Sequence, residues 1–232
     1  MCNGQNRTEN ALNPNPDGNE LMESYIKSKD MEGLVEVLKE EPIRIKGLFE
    51  KIKTDKGSGK FFLEKSIRLL SEKDPRLVYP YFSEIAELIQ SPNNFIKWGA
   101  MITISNLIEV DEENKFEPLF EEYFSLLNDD SMITAGNVAS NAWKFIRKNP
   151  GWEKEITERL LKVKGNTYLY KGEPSPECKN IMLGHVLGCF DQYYEVSTLR
   201  EKMIAFAQSE VDNPRKSVAR KAQAFLKNHS RT

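Results

Sequence analysis

Histidine and cysteine are both scarce in this chain. Its 232 residues include only two histidines and three cysteines, Cys2, Cys178 and Cys189. Three cysteines do not make a disulfide framework, which favours a reducing, intracellular environment, and we expect a cytoplasmic protein. Glycine is also infrequent and runs of β-branched residues are few, and both features favour helices over strands.

Long apolar runs and an excess of one charge are missing as well. The sequence has no run of about 18 apolar residues, and its N-terminal segment lacks the apolar core of a signal peptide, so we expect no membrane partner. The formal net charge of −2 gives no global field that would steer the whole protein to nucleic acid. Residues 1–19 are rich in Asn, Pro, Gly and Asp, and we predict a disordered N-terminal tail there.

From residue 20 onward the pattern of apolar residues is helical almost without interruption. Met31, Leu34, Val35 and Leu38, for example, follow the i, i+3, i+4, i+7 spacing of one helical stripe. Helix starts are predicted wherever a capping residue precedes a proline, because the cap accepts a hydrogen bond and proline needs no donor there. Four such pairs occur: Asp74-Pro75, Ser91-Pro92, Ser175-Pro176 and Asn213-Pro214.

Equivalent apolar positions recur with a period of about 37 residues, which is the strongest pattern in the sequence. One longer step contains the segment 165–175, which we interpret as an inserted loop. Each period holds two helices, and such pairs bury their apolar faces by stacking on their neighbours. The predicted core positions are Leu70, Leu107, Phe145, Phe190 and Phe225.

This pattern resembles the HEAT and armadillo repeat proteins across roughly residues 20–229. The resemblance implies an all-α fold without strands, an α-α superhelix in which about five helix pairs form a right-handed solenoid. It also implies one domain over residues 20–232, with the loop inserted at about 165–175. The concave wall of such a solenoid is its default binding surface.

The segment Ile104-Ser105-Asn106-Leu107 resembles the Ser-Asn-Leu stretch of an armadillo groove helix, whose asparagine binds the backbone of an extended peptide. The segment around Asn141 is a weaker match. The resemblance therefore implies partner binding by Asn106 and Asn141. The chain departs from the armadillo pattern four residues earlier, where a tryptophan is usual and Ile102 and Asn137 stand here.

Motifs for nucleotide or metal chemistry are incomplete. Gly57-Ser58-Gly59-Lys60 lacks the first glycine and the final hydroxyl of a phosphate-binding loop, so we interpret it as a helix linker. Cys178, His185 and Cys189 share one helical stripe, but only the last two lie close enough to share an ion. We expect no metal, no cofactor and no catalytic residues.

Glycine and tryptophan positions on the helices predict packing contacts. Gly184 and Gly188 are spaced i, i+4 in an apolar helix, which predicts a close approach of a neighbouring helix. Trp98 and Trp143 fall at helical spacing, and we interpret them as core residues.

Two further segments are candidates for partner contacts. Tyr168 and Tyr170 lie in the inserted loop beside glycine and proline, so they are hard to place in a core and could bind a partner. The C-terminal segment is basic, and it is interpreted either as a capping helix with a polar outer face or as a site of phosphate contacts. The candidate phosphate contacts are Arg215, Lys216, Arg220 and Lys221.

Together these patterns favour a non-catalytic interaction or scaffold module that binds a protein or peptide on the solenoid surface. Two alternatives stay open. One is a nucleic-acid-binding HEAT-like protein similar to the DNA alkylation repair proteins, and the other is a HEAT-like lyase. The oligomeric state and the identity of the partner stay open as well.

Overall fold

The chain is all-α apart from one short hairpin, in a computed structural model that describes residues 18–229. It divides into two compact units, Met1–Ser66 and Ile67–Thr232, and each is described by itself. The predicted single domain over residues 20–232 stays a prediction. The predicted disordered tail lies outside the described residues, except that residues 18 and 19 belong to the first helix.

Within residues 18–66, the first unit contains α1 (Gly18–Ser28), α2 (Met31–Glu40), a short 3-10 helix (Pro42–Arg44), α3 (Ile45–Thr54) and the beginning of α4 (Gly59–Lys73). The predicted stripe on α2 is confirmed for Leu34, Val35 and Leu38, which are fully buried. The side chain of Asp30 caps α2 by accepting a hydrogen bond from Gly33 N. Helix α1 packs against both α2 and α3, so these helices share one apolar core.

The second unit contains a row of long helices, each packed on the next along the chain. Helix α7 contacts α9, α9 contacts α11, and α11 contacts α13, while shorter helices lie between them in sequence. The helices are α5 (Pro75–Val78), α6 (Phe82–Leu88), α7 (Asn94–Leu107), α8 (Phe120–Ser125), α9 (Met132–Lys148), α10 (Glu153–Lys162), α11 (Pro176–Tyr193), α12 (Arg200–Gln208) and α13 (Lys216–His229).

The repeating apolar positions form the core of this unit, as predicted. The five equivalent residues at Leu70, Leu107, Phe145, Phe190 and Phe225 are all buried. Around Phe145 the core is aromatic, because Phe116 lies with its ring centroid 4.5 Å from that of Phe145 and 5.7 Å from that of Trp152. The predicted burial of Trp98 and Trp143 is only partly right, since both side chains are half-buried.

Two of the four predicted helix starts are confirmed and two are wrong. Pro176 begins α11 and the Ser175 side chain accepts a hydrogen bond from Cys178 N. Pro75 begins α5, but the Asp74 side chain makes no capping hydrogen bond there. Helix α7 instead begins after Asn93, whose side chain caps it, and α13 begins at Lys216. The Ser91-Pro92 and Asn213-Pro214 pairs therefore belong to the turns before these helices.

The segment 165–175 contains strands, which corrects the expectation of a purely helical fold. Strands β1 (Leu169–Tyr170) and β2 (Glu173–Pro174) pair antiparallel. Lys171 and Gly172 form the turn between them with φ of 54° and 86°, the left-handed region that a tight hairpin requires. Leu169 N donates to Asp130 O at 2.8 Å, so the hairpin is fastened next to the beginning of α9.

Tyr168 is a core residue, so the interpretation of both loop tyrosines as surface residues is wrong for Tyr168. Its ring is fully buried and its hydroxyl donates to Leu127 O at 3.0 Å. Tyr170 is 62% exposed, as expected for a residue that faces solvent from the hairpin. Of the two tyrosines, therefore, only Tyr170 is accessible to a partner.

Candidate binding site beside the end of helix α9

A cavity of about 680 Å³ opens beside the C-terminal half of α9. Its walls come from the end of α9, the turn into α10, the end of α11 and the residues that follow α11. We call it the Trp143 groove. Its principal lining residues are Trp143, Ile146, Arg147, Pro150, Tyr193 and Val196.

The walls of the Trp143 groove are mostly apolar. Val196 is 71% exposed at its edge and adds aliphatic surface to the groove. Tyr193 is buried, and its hydroxyl lies 2.8 Å from Thr157 Oγ1, so its polar atom is already bonded within the protein. Burial raises the pKa of Tyr193 well above its ordinary value, so the phenol stays neutral. The groove therefore offers aromatic and aliphatic surface to a ligand.

Glu153 is the one carboxylate among the groove residues, and it is bonded on both oxygens. Oε1 accepts from Ser197 Oγ at 2.6 Å and from Thr157 Oγ1 at 3.0 Å, and Oε2 accepts from the Thr198 hydroxyl at 2.6 Å and the Thr198 N–H at 3.2 Å. Burial opposes the charge, but these hydrogen bonds together hold the pKa of Glu153 below its ordinary value. Glu153 thus fixes the turn after α11 and is not available as an acid or base.

Arg147 supplies the accessible charge at the edge of the groove. Its guanidinium carbon lies 5.0 Å from the centroid of the Trp143 ring, a cation–π arrangement. Its Nη2 atom lies 3.0 Å from Glu109 Oε2, and both side chains are more than half exposed. An exposed ion pair of this kind contributes little stability, so a ligand anion can replace Glu109 at low cost.

A second, smaller cavity of about 300 Å³ is also lined by Arg147, together with Glu72, Asn106, Glu109 and Lys144. Asn106 Nδ2 donates to Ser71 Oγ at 3.0 Å, and Lys144 Nζ donates to Asn106 Oδ1 at 2.7 Å. These two hydrogen bonds connect α4 to α7 and α7 to α9. Asn106 therefore lies at a cavity, as a binding residue would, but both ends of its amide are bonded within the chain.

The four sequence-predicted partner residues do not form one site. Asn141 Nδ2 donates to Asn137 O of its own helix at 2.9 Å. Tyr170 lies on the hairpin beside the beginning of α9, whereas the Trp143 groove lies about ten residues further along that helix, roughly 15 Å away at 1.5 Å per residue. Partner binding by Asn106, Asn141 and Tyr170 stays a prediction.

Three of the four candidate phosphate contacts are used within the chain. Arg215 forms an ion pair with Glu177, and Lys221 Nζ donates to Gly184 O at 3.1 Å. Arg220 donates to a carbonyl of its own helix, and Lys216 is exposed. Phosphate binding by this segment stays a prediction.

The next question is whether the described residues contain side chains placed for metal binding or for thiol chemistry. No group of three or more His, Cys, Asp or Glu side chains could hold a metal ion in residues 18–229. His185 Nδ1 lies 2.8 Å from Ser140 Oγ on the neighbouring helix. Burial raises the pKa of Cys189 to about 12, so its thiol is not a nucleophile at neutral pH.

Among residues 18–229, none of the helices has the length and the apolar composition needed to span a membrane.

Comparisons with protein-family models, curated proteins and solved structures found no match to this chain. Sequence analysis missed the Trp143 groove because its two sides lie about 45 residues apart in the chain. A local signal did exist at its edge, since Trp143 and Arg147 are spaced i, i+4 and must be neighbours on a helix.

Proposed function

We propose that this protein is a non-catalytic interaction module that binds a segment of a partner protein in the Trp143 groove. The observation that carries the proposal is the combination of an exposed Val196, an aromatic wall at Trp143 and an accessible Arg147 around one cavity. Tryptophan and arginine are the residue types that dominate binding hot spots. A cytoplasmic location, suggested by the sparse cysteines, is part of this proposal.

The packing of the long helices supports a HEAT- or armadillo-like solenoid as the framework of this module. Helices α7, α9, α11 and α13 pack in chain order with shorter helices between them in sequence, as stacked repeats do. Such repeats are used mainly as binding surfaces, and in this framework the Trp143 groove would lie between the repeats of α9 and α11.

An affinity capture with matched variants tests the proposal. Wild-type protein, Val196→Asp and Ile43→Asp would each be tagged and used to capture partners from a lysate of the source organism. Both residues are exposed, at 71% and 81%, so neither change should unfold the protein, but only Val196 borders the groove. We expect a stoichiometric partner to be retained by wild type and Ile43→Asp and lost by Val196→Asp.

Other outcomes would place the interface elsewhere. Retention of the partner by Val196→Asp would exclude the Trp143 groove. Loss of the partner in Tyr170→Asp but not in Val196→Asp would move the interface to the hairpin. A captured species with a high 260/280 nm absorbance ratio that disappears after a salt wash would indicate nucleic acid, and the basic residues of α13 would become its candidate contacts.

A further inference from the structure

We propose that the Trp143 groove binds a proline-rich segment in the polyproline II conformation. This inference rests on the proposed function, because it names the class of segment that the groove binds. Two observations carry it together: the walls of the groove are mostly apolar, and the polar atoms that its side chains leave unused are mostly hydrogen-bond donors.

The indole of Trp143 combines apolar surface with an unused donor. Its ring is half-buried in the groove wall, and its Nε1–H makes no hydrogen bond within residues 18–229. Nε1 is not enclosed by the fold, so it stays accessible to a ligand. By comparison, the indole of Trp98 donates to Thr134 Oγ1 at 3.0 Å. Trp143 can therefore pack against an apolar ring and donate to a carbonyl oxygen at the same time.

Two further side chains of the groove add donors. Gln192 is exposed near the end of α11, and its amide makes no hydrogen bond in the described part of the chain. Arg147 has five N–H groups and uses Nη2 for Glu109, so N–H groups remain for a carbonyl oxygen. Acceptors are fewer, because both oxygens of Glu153 and the hydroxyl of Tyr193 are already bonded within the chain.

A segment that matches this groove is apolar, offers carbonyl oxygens and has few N–H groups. Proline meets all three conditions, since its ring is apolar and its amide has an acceptor but no donor. In an ordinary extended segment, each N–H that enters the groove loses its water and finds few acceptors, which weakens binding. A polyproline II segment is also preformed and has no internal hydrogen bonds, so it loses little conformational entropy on binding.

A neutral segment leaves the charges around the groove as they are. Arg147 keeps its ion pair with Glu109, and Glu153 keeps the hydrogen bonds that fix the turn after α11. Recognition by donors to neutral carbonyl oxygens therefore requires no rearrangement of these pairs.

The test uses two neutral capped hexapeptides, acetyl-Pro-Leu-Pro-Pro-Leu-Pro-amide and its counterpart with alanine in place of every proline. Both carry the same two leucines, so they differ only where proline removes an N–H and closes a ring. Binding would be located by the indole N–H signals of the ¹⁵N-labelled protein, with the Trp143 signal assigned from Trp143→Phe, and affinities would be measured by calorimetry. We expect the proline peptide to move the Trp143 signal and to bind about tenfold more tightly than the alanine peptide.

Variants of the donors then assign this preference to the groove. Gln192→Glu keeps the size of the side chain but exchanges its N–H donors for an acceptor oxygen, and Trp143→Phe keeps an aromatic ring without the indole N–H. We expect each change to weaken binding of the proline peptide about fivefold. Gln208→Glu, at an exposed position at the end of α12, is the control and should bind it as wild type does. The Trp98 and Trp152 signals show whether each variant is folded.

The outcomes separate this inference from the proposed function. If the alanine peptide binds wild-type protein as tightly as the proline peptide, or if neither peptide binds, the proline-rich segment is wrong. The same holds if folded Gln192→Glu and Trp143→Phe both bind the proline peptide with wild-type affinity. The proposed function is decided separately by the capture experiment, in which retention of the partner by Val196→Asp excludes the groove whatever the peptides do.

Discussion

Ser140 Oγ and His185 Nδ1 lie 2.8 Å apart and join α9 to α11. Burial, reinforced by the charge of Lys221, lowers the pKa of His185 below its ordinary value of 6.5. Just below pH 6.5 the unfolded chain therefore binds more protons than the folded one, so stability falls as the pH falls through this range. We expect the free energy of unfolding of wild type to decrease from about pH 7.5 to pH 5.5.

The matched variant for this prediction is His185→Gln, which keeps a hydrogen-bonding side chain but does not titrate. Its stability, measured by urea denaturation at the same pH values, should decrease less than that of wild type. Parallel decreases in the two proteins would show that other groups, and not His185, cause the pH dependence.

Replacing Glu153 by glutamine should loosen the turn that forms one wall of the Trp143 groove. Glutamine offers one acceptor oxygen where the carboxylate bonds Ser197, Thr198 and Thr157, so we expect a loss of about 1.5–3 kcal/mol at pH 7. Urea denaturation measures this, with Glu158→Gln on the same helix as the control, expected to change stability by less than about 0.5 kcal/mol.

The effect of Glu153 should also depend on pH. Because the folded-state pKa is lowered, the stabilisation is complete above the ordinary glutamate pKa of 4.5 and is lost as the pH falls through the folded value. The difference between wild type and Glu153→Gln should therefore shrink in acid. A difference that is constant down to pH 3 would contradict an ionised Glu153 in the folded protein.

The two hairpin tyrosines should respond oppositely to truncation. Tyr168→Ala removes a fully buried ring and should cost about 3–5 kcal/mol, whereas Tyr170→Ala, at an exposed position, should change stability by less than about 0.5 kcal/mol. Tyr168→Phe removes only the hydroxyl bonded to Leu127 O and should cost about 1 kcal/mol. Thermal and urea denaturation of the three variants measure this, and similar losses for both alanine variants would refute the buried position of Tyr168.

The two glycines of α11 should differ in their response to alanine. A Cβ at Gly188 would meet only Lys221 Nζ, at 3.7 Å, so Gly188→Ala should stabilise the helix by about 0.5–1 kcal/mol. A Cβ at Gly184 would lie 3.1 Å from Val218 Cγ2, so contact with α13 should offset the same gain. In a Val218→Ala background this contact is absent, so Gly184→Ala should stabilise the protein as Gly188→Ala does. A double-mutant cycle measures the coupling energy between positions 184 and 218.

Local periodicity is why the helices and their core could be predicted from the sequence. Leu107, Phe145 and Phe190 repeat at nearly equal spacing, and the burial of a helix face depends mainly on that spacing. The close helix approach predicted at Gly184 is confirmed, because a Cβ there would lie 3.1 Å from Val218 Cγ2 on α13. The hairpin was missed because strands of two residues carry no alternating pattern.

The candidate site could not be predicted, because its properties arise from long-range pairs. In the sequence, Glu153 looks like an ordinary glutamate in the first turn of a helix. It is buried only because Ser197 and Thr198, more than 40 residues later in the chain, pack against it and donate hydrogen bonds to it. In the same way, Lys144 resembles a solvated lysine until α7 brings Asn106 to it.

The hairpin anchors have a consequence for the order in which the protein assembles. Asn166, Tyr168 and Leu169 bond to Leu127, Asn128 and Asp130, about 40 residues earlier. A two-stranded ribbon of this length is not stable alone, so it can form only on an α9 region that is already in place. During synthesis the earlier segment leaves the ribosome first, and we expect the nascent chain to fold vectorially across this joint, with α11 docking after the ribbon has closed.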